Sequence, residues 1–134
     1  MKNDEGIHVL VRAVIIENGK LLVTTDVNRE VSFLPGGHIH YGEKAIDALK
    51  RELAEELGNN NLQINTLLGV IEDAWDYKGE LYHGVHLLFR VSSNQSDLIK
   101  SLRSNESNLS LEWIPIDELS NKINLFPKLL ATKI

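Results

Sequence analysis

The sequence of 134 residues contains no cysteine, so disulfide bonds, a thiolate nucleophile and zinc sites built on cysteine are excluded. It also lacks any apolar run that approaches the length of a membrane span. Its first residues, MKNDEGIHVLV, include acidic side chains and lack the apolar core of a secretory signal. The simplest prediction is therefore a cytoplasmic protein with no membrane partner.

Positive charge is scarce as well, because 14 Lys and Arg residues stand against 19 Asp and Glu residues, for a formal net charge of -5. No cluster of Lys and Arg supplies a basic patch, so a nucleic-acid partner is not expected. An enzyme for small anionic nucleotides remains compatible with this charge, because bound metal ions can carry the positive charge. Hydrophobic content of 43% and charged content of 25% are ordinary for a globular protein, predicted as a single domain over residues 1–134.

The hydrophobic pattern switches between strand-like and helix-like stretches. Strands are predicted over residues 8–16, 21–25, 31–34, 62–77, 81–91 and 111–116. Turn signals at 18–19 and 78–80 join neighbouring strands as hairpins. Alternation along the strand 81–91 predicts that one set of its residues faces inward: His83, Val85, Leu87, Phe89 and Val91.

Helices are predicted between these strands and at the end of the chain. The main helix opens with Gly42 and Glu43 and is closed by Gly58 as a left-handed cap. A helical piece is expected around 97–102 in a polar loop, a short helix is expected after an Asp117 cap, and a terminal helix is expected over 125–133. Strands, helices and antiparallel hairpins in this order indicate an α+β or mixed-sheet fold.

The stretch 36–58, which reads GGHIHYGEKAIDALKRELAEELG, carries the chemistry of the chain. On a helix, Glu55 lies about 60° to one side of Glu52 and Glu56 about 40° to the other, so three carboxylates share one arc. Such carboxylates repel each other and raise each other's pKa unless a cation neutralises them. The arrangement therefore predicts a divalent metal ion.

The remaining faces of this helix have different compositions. An apolar stripe suited to a core contains Ile46, Leu49, Leu53 and Leu57, and a solvent-facing arc contains Lys44, Asp47 and Lys50. Ala45 and Ala48 lie on the carboxylate side and leave room for something to approach. An ordinary acidic surface helix, with Arg51 pairing with a carboxylate one turn away, would explain the charges. It would not explain the preceding Leu-Pro-Gly-Gly turn or the fixed offsets.

This stretch resembles the signature box of the Nudix hydrolases, which cleave nucleoside diphosphates linked to another moiety. The charged and glycine positions of the box are all matched: Gly37, Glu43, Arg51, Glu52, Glu55, Glu56 and Gly58. Asn59 departs from the usual aliphatic residue, and His40 stands where many relatives carry an acidic residue. The resemblance implies an α/β/α sandwich around a mixed β-sheet, with a catalytic loop-helix-loop, and it covers nearly the whole chain.

The resemblance also implies roles for the box residues. Gly36 would offer its carbonyl to Mg²⁺, with Mn²⁺ as an alternative, and Glu55 and Glu56 would be direct ligands. Glu52 would bind metal or take a proton from the attacking water. Arg51 would orient the glutamates, braced by Glu43. The general base stays open, because in some relatives it lies on a later loop.

That loop offers Glu106 as a candidate base, with Asp97 and Glu112 as weaker ones; each is more simply read as a surface acid. Substrate contacts are less specific. Phe33, Trp75, Tyr77 and Tyr82 could stack on a base, but each is more simply read as a core or rim residue. His38 and His40 lie at the Gly-rich turn, where they touch phosphate or are plain surface residues. His83 and His86 alternate in facing, so a shared metal is not expected.

Arg12 and Gly37 complete the candidate substrate site. Arg12 lies in an apolar strand, where an unpaired charge would be costly, so it either meets an acidic partner or points into the substrate cleft, and the cleft is favoured. Gly36 and Gly37 let the backbone approach metal and phosphates, where a side chain would block them.

The leading prediction is a Mg²⁺-dependent pyrophosphohydrolase of a small nucleotide. Its substrate is either a nucleotide sugar or ADP-ribose type of compound, or a damaged nucleoside triphosphate. A non-catalytic Nudix-fold module that senses a nucleotide is the alternative, although this chain keeps every box glutamate. Hydrolysis of RNA caps or ends is disfavoured by the acidic charge. Homodimers are frequent among similar proteins, so a homodimer is one expectation.

Overall fold

A computed structural model describes residues 6–28, 30–58, 61–93, 108–121 and 125–126. Its strands are β1 (His8–Val14), β2 (Ile16–Glu17), β3 (Lys20–Asp26), β4 (Val31–Phe33), β5 (Gly36–His38), β6 (Gln63–Tyr77), β7 (Glu80–Ser92), β8 (Leu109–Pro115) and β9 (Leu125–Phe126). Its helices are α1 (Ala45–Leu57) and a 3₁₀ helix (Ile116–Asn121). Among the described residues, no helix is both long enough and apolar enough to cross a membrane.

The first sheet is mixed, with strand order β5-β1-β7-β6. β1 runs parallel to β7 and antiparallel to β5. β6 and β7 form a long antiparallel hairpin whose register shifts between Ile64 and Gly69. Its turn places Lys78 at φ 54° and Gly79 at φ 82°, the left-handed pair that suits a tight hairpin.

The second sheet is built around β3, which pairs with β2, β4 and β8. The β2–β3 turn is the predicted pair Asn18 and Gly19, both at positive φ. β9 adds to β4 as a parallel strand. The predicted strands are therefore confirmed, with bounds that differ by at most two residues.

Two apolar clusters hold the layers together. Alternate residues of β1 divide between them, since Val11 and Ala13 pack with α1 while Val14 packs on the opposite side. The second cluster joins the two sheets and includes Leu119 of the 3₁₀ helix. The helical elements thus pack into different clusters, and the expected α+β fold with a mixed sheet and a helix is confirmed.

The predicted faces of α1 are largely confirmed. Leu49, Leu53 and Leu57 are buried in the first cluster. Ile46 was expected on this stripe but is 42% exposed. Ala48 is also buried in the core, so what approaches the small side chains is the sheet.

The ends of the helices differ from prediction. α1 begins at Ala45 with Lys44 as N-cap, so Gly42 and Glu43 precede it. Gly58 is the predicted left-handed cap, at φ 63° and ψ 23°. The 3₁₀ helix starts at Ile116, which places Asp117 inside its first turn. Leu125 and Phe126 form strand β9, so the predicted terminal helix is wrong there because the backbone pairs with β4.

The predicted inward face of β7 is only partly right. Phe89 and Val91 are buried, but so are His86 and Leu88 on the other face, because β7 is a central strand with layers on both sides. His83 instead lies near the surface, where its Nε2 is 2.6 Å from a Glu72 carboxylate oxygen. The remaining predicted helical residues, 97–102 and 127–133, lie outside the described residues.

Candidate active site

A cleft of about 770 Å³ opens where the two sheets diverge. One wall continues the mixed-sheet face that carries Val14 and Leu88 in the core, and the second sheet forms the other wall. The residues that the mixed sheet contributes are His8, Leu10, Arg12, Gly36, Gly37, His38, Trp75, Asp76, Tyr82 and His86. The second sheet contributes Asp26, Val31, Phe33 and Leu109, and α1 contributes Glu52 and Glu56. The cleft therefore joins the acidic helix to both sheets.

The Gly-rich turn fits against both β1 and α1. Gly36 has φ 145°, and a Cβ there would collide with the carbonyl oxygen of Val11. Its backbone N–H donates to Glu56 Oε1 at 3.3 Å. A Cβ on Gly37 would lie 2.5 to 2.7 Å from the Glu52 carboxylate atoms. Both glycines are therefore required by close approach within the protein, while their predicted approach to metal and phosphates stays a prediction.

Arg51 is the hub of the acidic residues. Its Nε and Nη2 donate to the two carboxylate oxygens of Glu43 at 2.8 and 3.0 Å. Its Nη1 donates to Glu52 at 2.9 Å and to Glu55 at 3.3 Å, and Nη2 also donates to the His38 carbonyl at 3.0 Å. These charge-assisted bonds orient the carboxylates and fix the Gly-rich turn to the helix.

Glu43 is held at the entrance of the helix by two partners. Besides Arg51, the backbone N–H of His40 donates to its Oε1 at 3.0 Å. The bonds from Arg51 and His40 lower the pKa of Glu43 to about 2. Glu43 is therefore a fixed carboxylate that braces Arg51, in agreement with its expected role.

Glu52 and Glu56 are the carboxylates that face the cleft. Glu56 is 6% exposed, and burial together with a hydrogen bond to Glu52 raises its pKa. Glu55 lies at the rim with its side chain 54% exposed and contacts Arg51. In the described part of the chain, no three acidic or histidine side chains already converge as a metal-binding cluster. The carboxylates of Glu52, Glu55 and Glu56 still form an oxygen-rich donor set of the kind that Mg²⁺ prefers.

Arg12 is a buried cation that lines the same cleft as Glu56. It is 9% exposed, and its Nη1 donates to the Leu34 carbonyl at 3.1 Å, while its guanidinium carbon lies 5.3 Å from the centre of the Phe33 ring. Burial lowers the pKa of Arg12 to about 10, against the raising influence of Glu56 and Glu52. Among the described residues, no carboxylate oxygen lies within 4.0 Å of it, so its charge faces the cleft without an ion pair.

His86 is a cleft residue that sequence reasoning left out of the site. Its Nδ1 accepts from Arg12 Nε at 3.4 Å, and burial lowers its pKa to about 4. Its Nε2 is buried and has no hydrogen-bond partner among the described residues. Its position in the sequence could have placed it in the site, because His86 is four residues from Tyr82 in the same strand and therefore lies on the same face.

Aromatic rings line the rest of the mixed-sheet wall. Trp75 and Tyr82 stack with ring centres 5.8 Å apart at 16°. His8 Nδ1 and His38 Nε2 lie 3.0 Å apart beside them, and burial and the neighbouring His8 and Arg12 lower the pKa of His38. His8 had not been singled out from the sequence, since nothing in its strand marks it as a partner of His38.

The cleft gathers most of the residues predicted for the site. Arg12, Phe33, Gly36, Gly37, His38, Glu52, Glu56, Trp75 and Tyr82 all line it. His40 and Glu112 are exposed and do not line it. Glu106 and Asp97, the loop candidates for the base, lie outside the described residues.

Comparisons with known sequences match this chain to members of one family. The sequence model described as the NUDIX domain matches residues 6–131. An uncharacterized Nudix hydrolase from Nostoc sp. is 36% identical over 83 residues, which cover 59% of this chain and 48% of that protein. The match thus spans about half of that relative's length.

Solved structures of NUDIX hydrolases have the same fold as this chain. The crystal structure of a MutT NUDIX hydrolase from Burkholderia pseudomallei superimposes with a TM-score of 0.73 at 23% identity, covering 97% of this chain and 99% of that one. A NUDIX hydrolase from Nitrosomonas europaea superimposes with a TM-score of 0.67 at 26% identity, covering 95% of this chain and 84% of that one. The fold resemblance therefore extends over nearly the whole chain.

Proposed function

Because this chain belongs to the Nudix family, we propose that it is a Mg²⁺-dependent hydrolase of a pyrophosphate bond in a nucleoside diphosphate-linked compound. One observation carries the proposal: the hydrogen-bonded carboxylates of Glu52 and Glu56, of which Glu56 is buried, share a cleft with the buried guanidinium of Arg12, which has no ion pair among the described residues. The negative carboxylates favour the binding of a cation, and the positive guanidinium favours the binding of an anion. A metal-bound pyrophosphate satisfies both.

Glu52, Glu55 and Glu56, with the Gly36 carbonyl, would hold the metal ion. When bound, Mg²⁺ would neutralise pyrophosphate oxygens and polarise the phosphorus toward attack. The fit rests on the oxygen-only donor set and on the space beside Gly37, which its missing side chain leaves to the Glu52 carboxylate. Mn²⁺ accepts similar ligands and is the expected substitute.

The chain's own residues then orient the reaction. Arg12 binds a phosphate oxygen from the wall of the cleft, and Arg51 holds Glu52 through the 2.9 Å bond to its Oε2. Either Glu52 or a base on the later loop takes a proton from the attacking water, whose oxygen forms a bond to phosphorus as the bridging P–O bond breaks. The released oxygen leaves with the second phosphorylated product. Glu106 stays a prediction for the base, since it lies outside the described residues.

The substrate is a small nucleotide, either a nucleotide sugar or ADP-ribose type of compound or a modified nucleoside triphosphate. Trp75 and Tyr82 supply ring surfaces in the same cleft as Arg12, Glu52 and Glu56, where a nucleobase would stack. Cytoplasmic location and a homodimer stay predictions.

Incubation with a substrate panel tests the proposal. The purified protein is given Mg²⁺ or Mn²⁺ with nucleotide sugars, dinucleotides and oxidised nucleoside triphosphates, and the products are identified by mass. Water labelled with ¹⁸O should appear in one phosphate product, which marks the attacked phosphorus. We expect turnover with metal and none after chelation. Binding of nucleotides without any turnover would instead favour a nucleotide-sensing module.

A further inference from the structure

His86 carries a buried hydrogen-bond donor that the proposed reaction does not use. The imidazole is 2% exposed, and its Nδ1 accepts a hydrogen bond from Arg12. A neutral imidazole that accepts at Nδ1 carries its proton on Nε2, so Nε2 is a donor. Among the described residues it has no acceptor. Buried donors are nearly always paired, and an orphaned one in a cleft wall indicates a group that binds there.

The surroundings of this donor suit a flat group. A Cβ on Gly84 would lie 3.3 Å from His86 Nε2, 3.2 Å from Leu10 Cδ1 and 3.5 Å from Trp75 Cζ3, so these atoms meet over the bare glycine. The Trp75 indole stacks on Tyr82 on the same wall. The donor therefore belongs to a ring whose centre lies 6.4 Å from that of Trp75.

The other side of the imidazole faces the anion-binding part of the cleft. Arg12 donates to Nδ1, and its guanidinium lies 5.3 Å from the centre of the Phe33 ring on the facing sheet. One imidazole thus connects a buried cation with an uncharged donor. A ligand that is complementary to this pair has a phosphate at Arg12 and a planar part with an oxygen acceptor at Nε2.

We propose that His86 determines base specificity by donating from Nε2 to a ring carbonyl oxygen of the substrate's nucleobase. This inference rests on the proposed function and narrows its substrate class to bases with a carbonyl at that position, such as hypoxanthine, guanine or uracil. An amino group there, as in adenine or cytosine, would place a donor against a donor and leave both unpaired. Because Nε2 is buried, a base that reaches it must move a neighbouring side chain.

Binding measurements with matched nucleotides test this inference. The chain has two tryptophans, so Trp113→Phe leaves Trp75 as the sole tryptophan fluorophore. This protein is titrated with inosine and adenosine 5′-monophosphates, which differ in the carbonyl or amino group at position 6, and with uridine and cytidine 5′-monophosphates. We expect at least one carbonyl member to bind about 10-fold or more tightly than its amino partner, with a change in Trp75 fluorescence.

Variants separate base recognition from the support of Arg12. His86→Phe keeps a planar ring without the donor and should bring the affinity ratio to about one. His86→Gln keeps a donor and an acceptor and should restore part of the preference. Arg12→Gln should weaken both members of a pair together and leave the ratio unchanged. Inorganic pyrophosphate, which has no base, should lose little affinity in His86→Phe.

Three results would overturn the inference: ratios near one for both pairs in the Trp113→Phe protein, an unchanged ratio in His86→Phe, or equal losses there for both nucleotides and pyrophosphate. The last would mean that His86 only positions Arg12. Since these titrations need no hydrolysis, a lack of turnover would overturn the proposed function and not the base preference. Turnover without a base preference would overturn this inference and leave the proposed function standing.

Discussion

The carboxylate of Glu52 occupies the space that a side chain on Gly37 would need, with its carbon 2.5 Å from the ideal Cβ position. We predict that Gly37→Ala pushes this carboxylate out of place and lowers kcat/KM by about 100-fold, because small displacements in an active site have effects of that size. The melting temperature should change little, since the neighbour that must move is a side chain. Steady-state hydrolysis and thermal unfolding measure the two quantities.

Gly79→Asn is the matched control for this substitution. Gly79 lies in the β6–β7 turn at φ 82° with no atom within 4 Å of its ideal Cβ, and asparagine tolerates left-handed backbone better than most residues. Turnover should stay at the level of the unmodified protein. A Gly37→Ala protein with normal turnover would show that Glu52 does not need its observed position.

Local features of the site were predictable from sequence because they depend on neighbours along one helix. The spacing of Glu52, Glu55 and Glu56 and the αL cap at Gly58 follow from helical geometry and from glycine's freedom at positive φ. Helical geometry does not distinguish the three carboxylates. Glu56 is buried while Glu55 is exposed, and that difference is set by how α1 packs against the Gly-rich turn.

Features that arise between distant strands were harder to predict. β7 is a central strand with apolar residues on both faces, so neither face is marked as polar in the sequence. For this reason the sequence did not indicate that the face with His86 forms the cleft wall. The contact of His86 with Arg12 joins β7 to β1, and the pair His8 and His38 joins β1 to β5. The sequence alone contains no sign of these pairings.

Glu55 tests the metal site at its exposed edge. Glu55→Gln keeps the shape of the side chain and removes one metal-binding charge, so we predict a loss in kcat of at least about 100-fold. Asp47→Asn is the control, because Asp47 is an exposed acid on the same helix, away from the cleft. Turnover at several Mg²⁺ concentrations measures both variants. Near-normal rates for Glu55→Gln at low Mg²⁺ would remove Glu55 from the metal site.

The lowered pKa of Glu43 predicts that the stability of the protein depends on pH. Its pKa is lowered to about 2 in the folded protein, from an ordinary value of 4.5. A lowered pKa means that the stabilisation is fully present above pH 4.5 and is lost as pH falls toward 2. Glu43→Gln should therefore lower the melting temperature at pH 6, and the gap between variant and unmodified protein should shrink between pH 4.5 and 2. A gap that stays constant over that range would contradict the ionised Glu43–Arg51 pair.

Arg12 tests whether the buried cation serves a ligand or the fold. Its guanidinium is buried without an ion pair among the described residues, so folding gains little from its charge, while a bound phosphate would gain a hydrogen bond to a charged group. Such bonds contribute about 1.5 to 3 kcal/mol, or roughly 10- to 100-fold in affinity. We predict that Arg12→Gln raises KM by that factor and abolishes the rise in melting temperature that pyrophosphate gives.

Arg90→Gln is the control for Arg12, because Arg90 also lies on the mixed sheet, in register with Val14, but does not line the cleft. It should keep both KM and the pyrophosphate response. If Arg12→Gln instead lowers the melting temperature of the ligand-free protein while pyrophosphate still stabilises it, Arg12 supports the fold and the phosphate binds elsewhere. If the ligand-free melting temperature is kept and only the response is lost, the cation serves the substrate, because its contacts with Leu34, His86 and Phe33 are then not needed for folding.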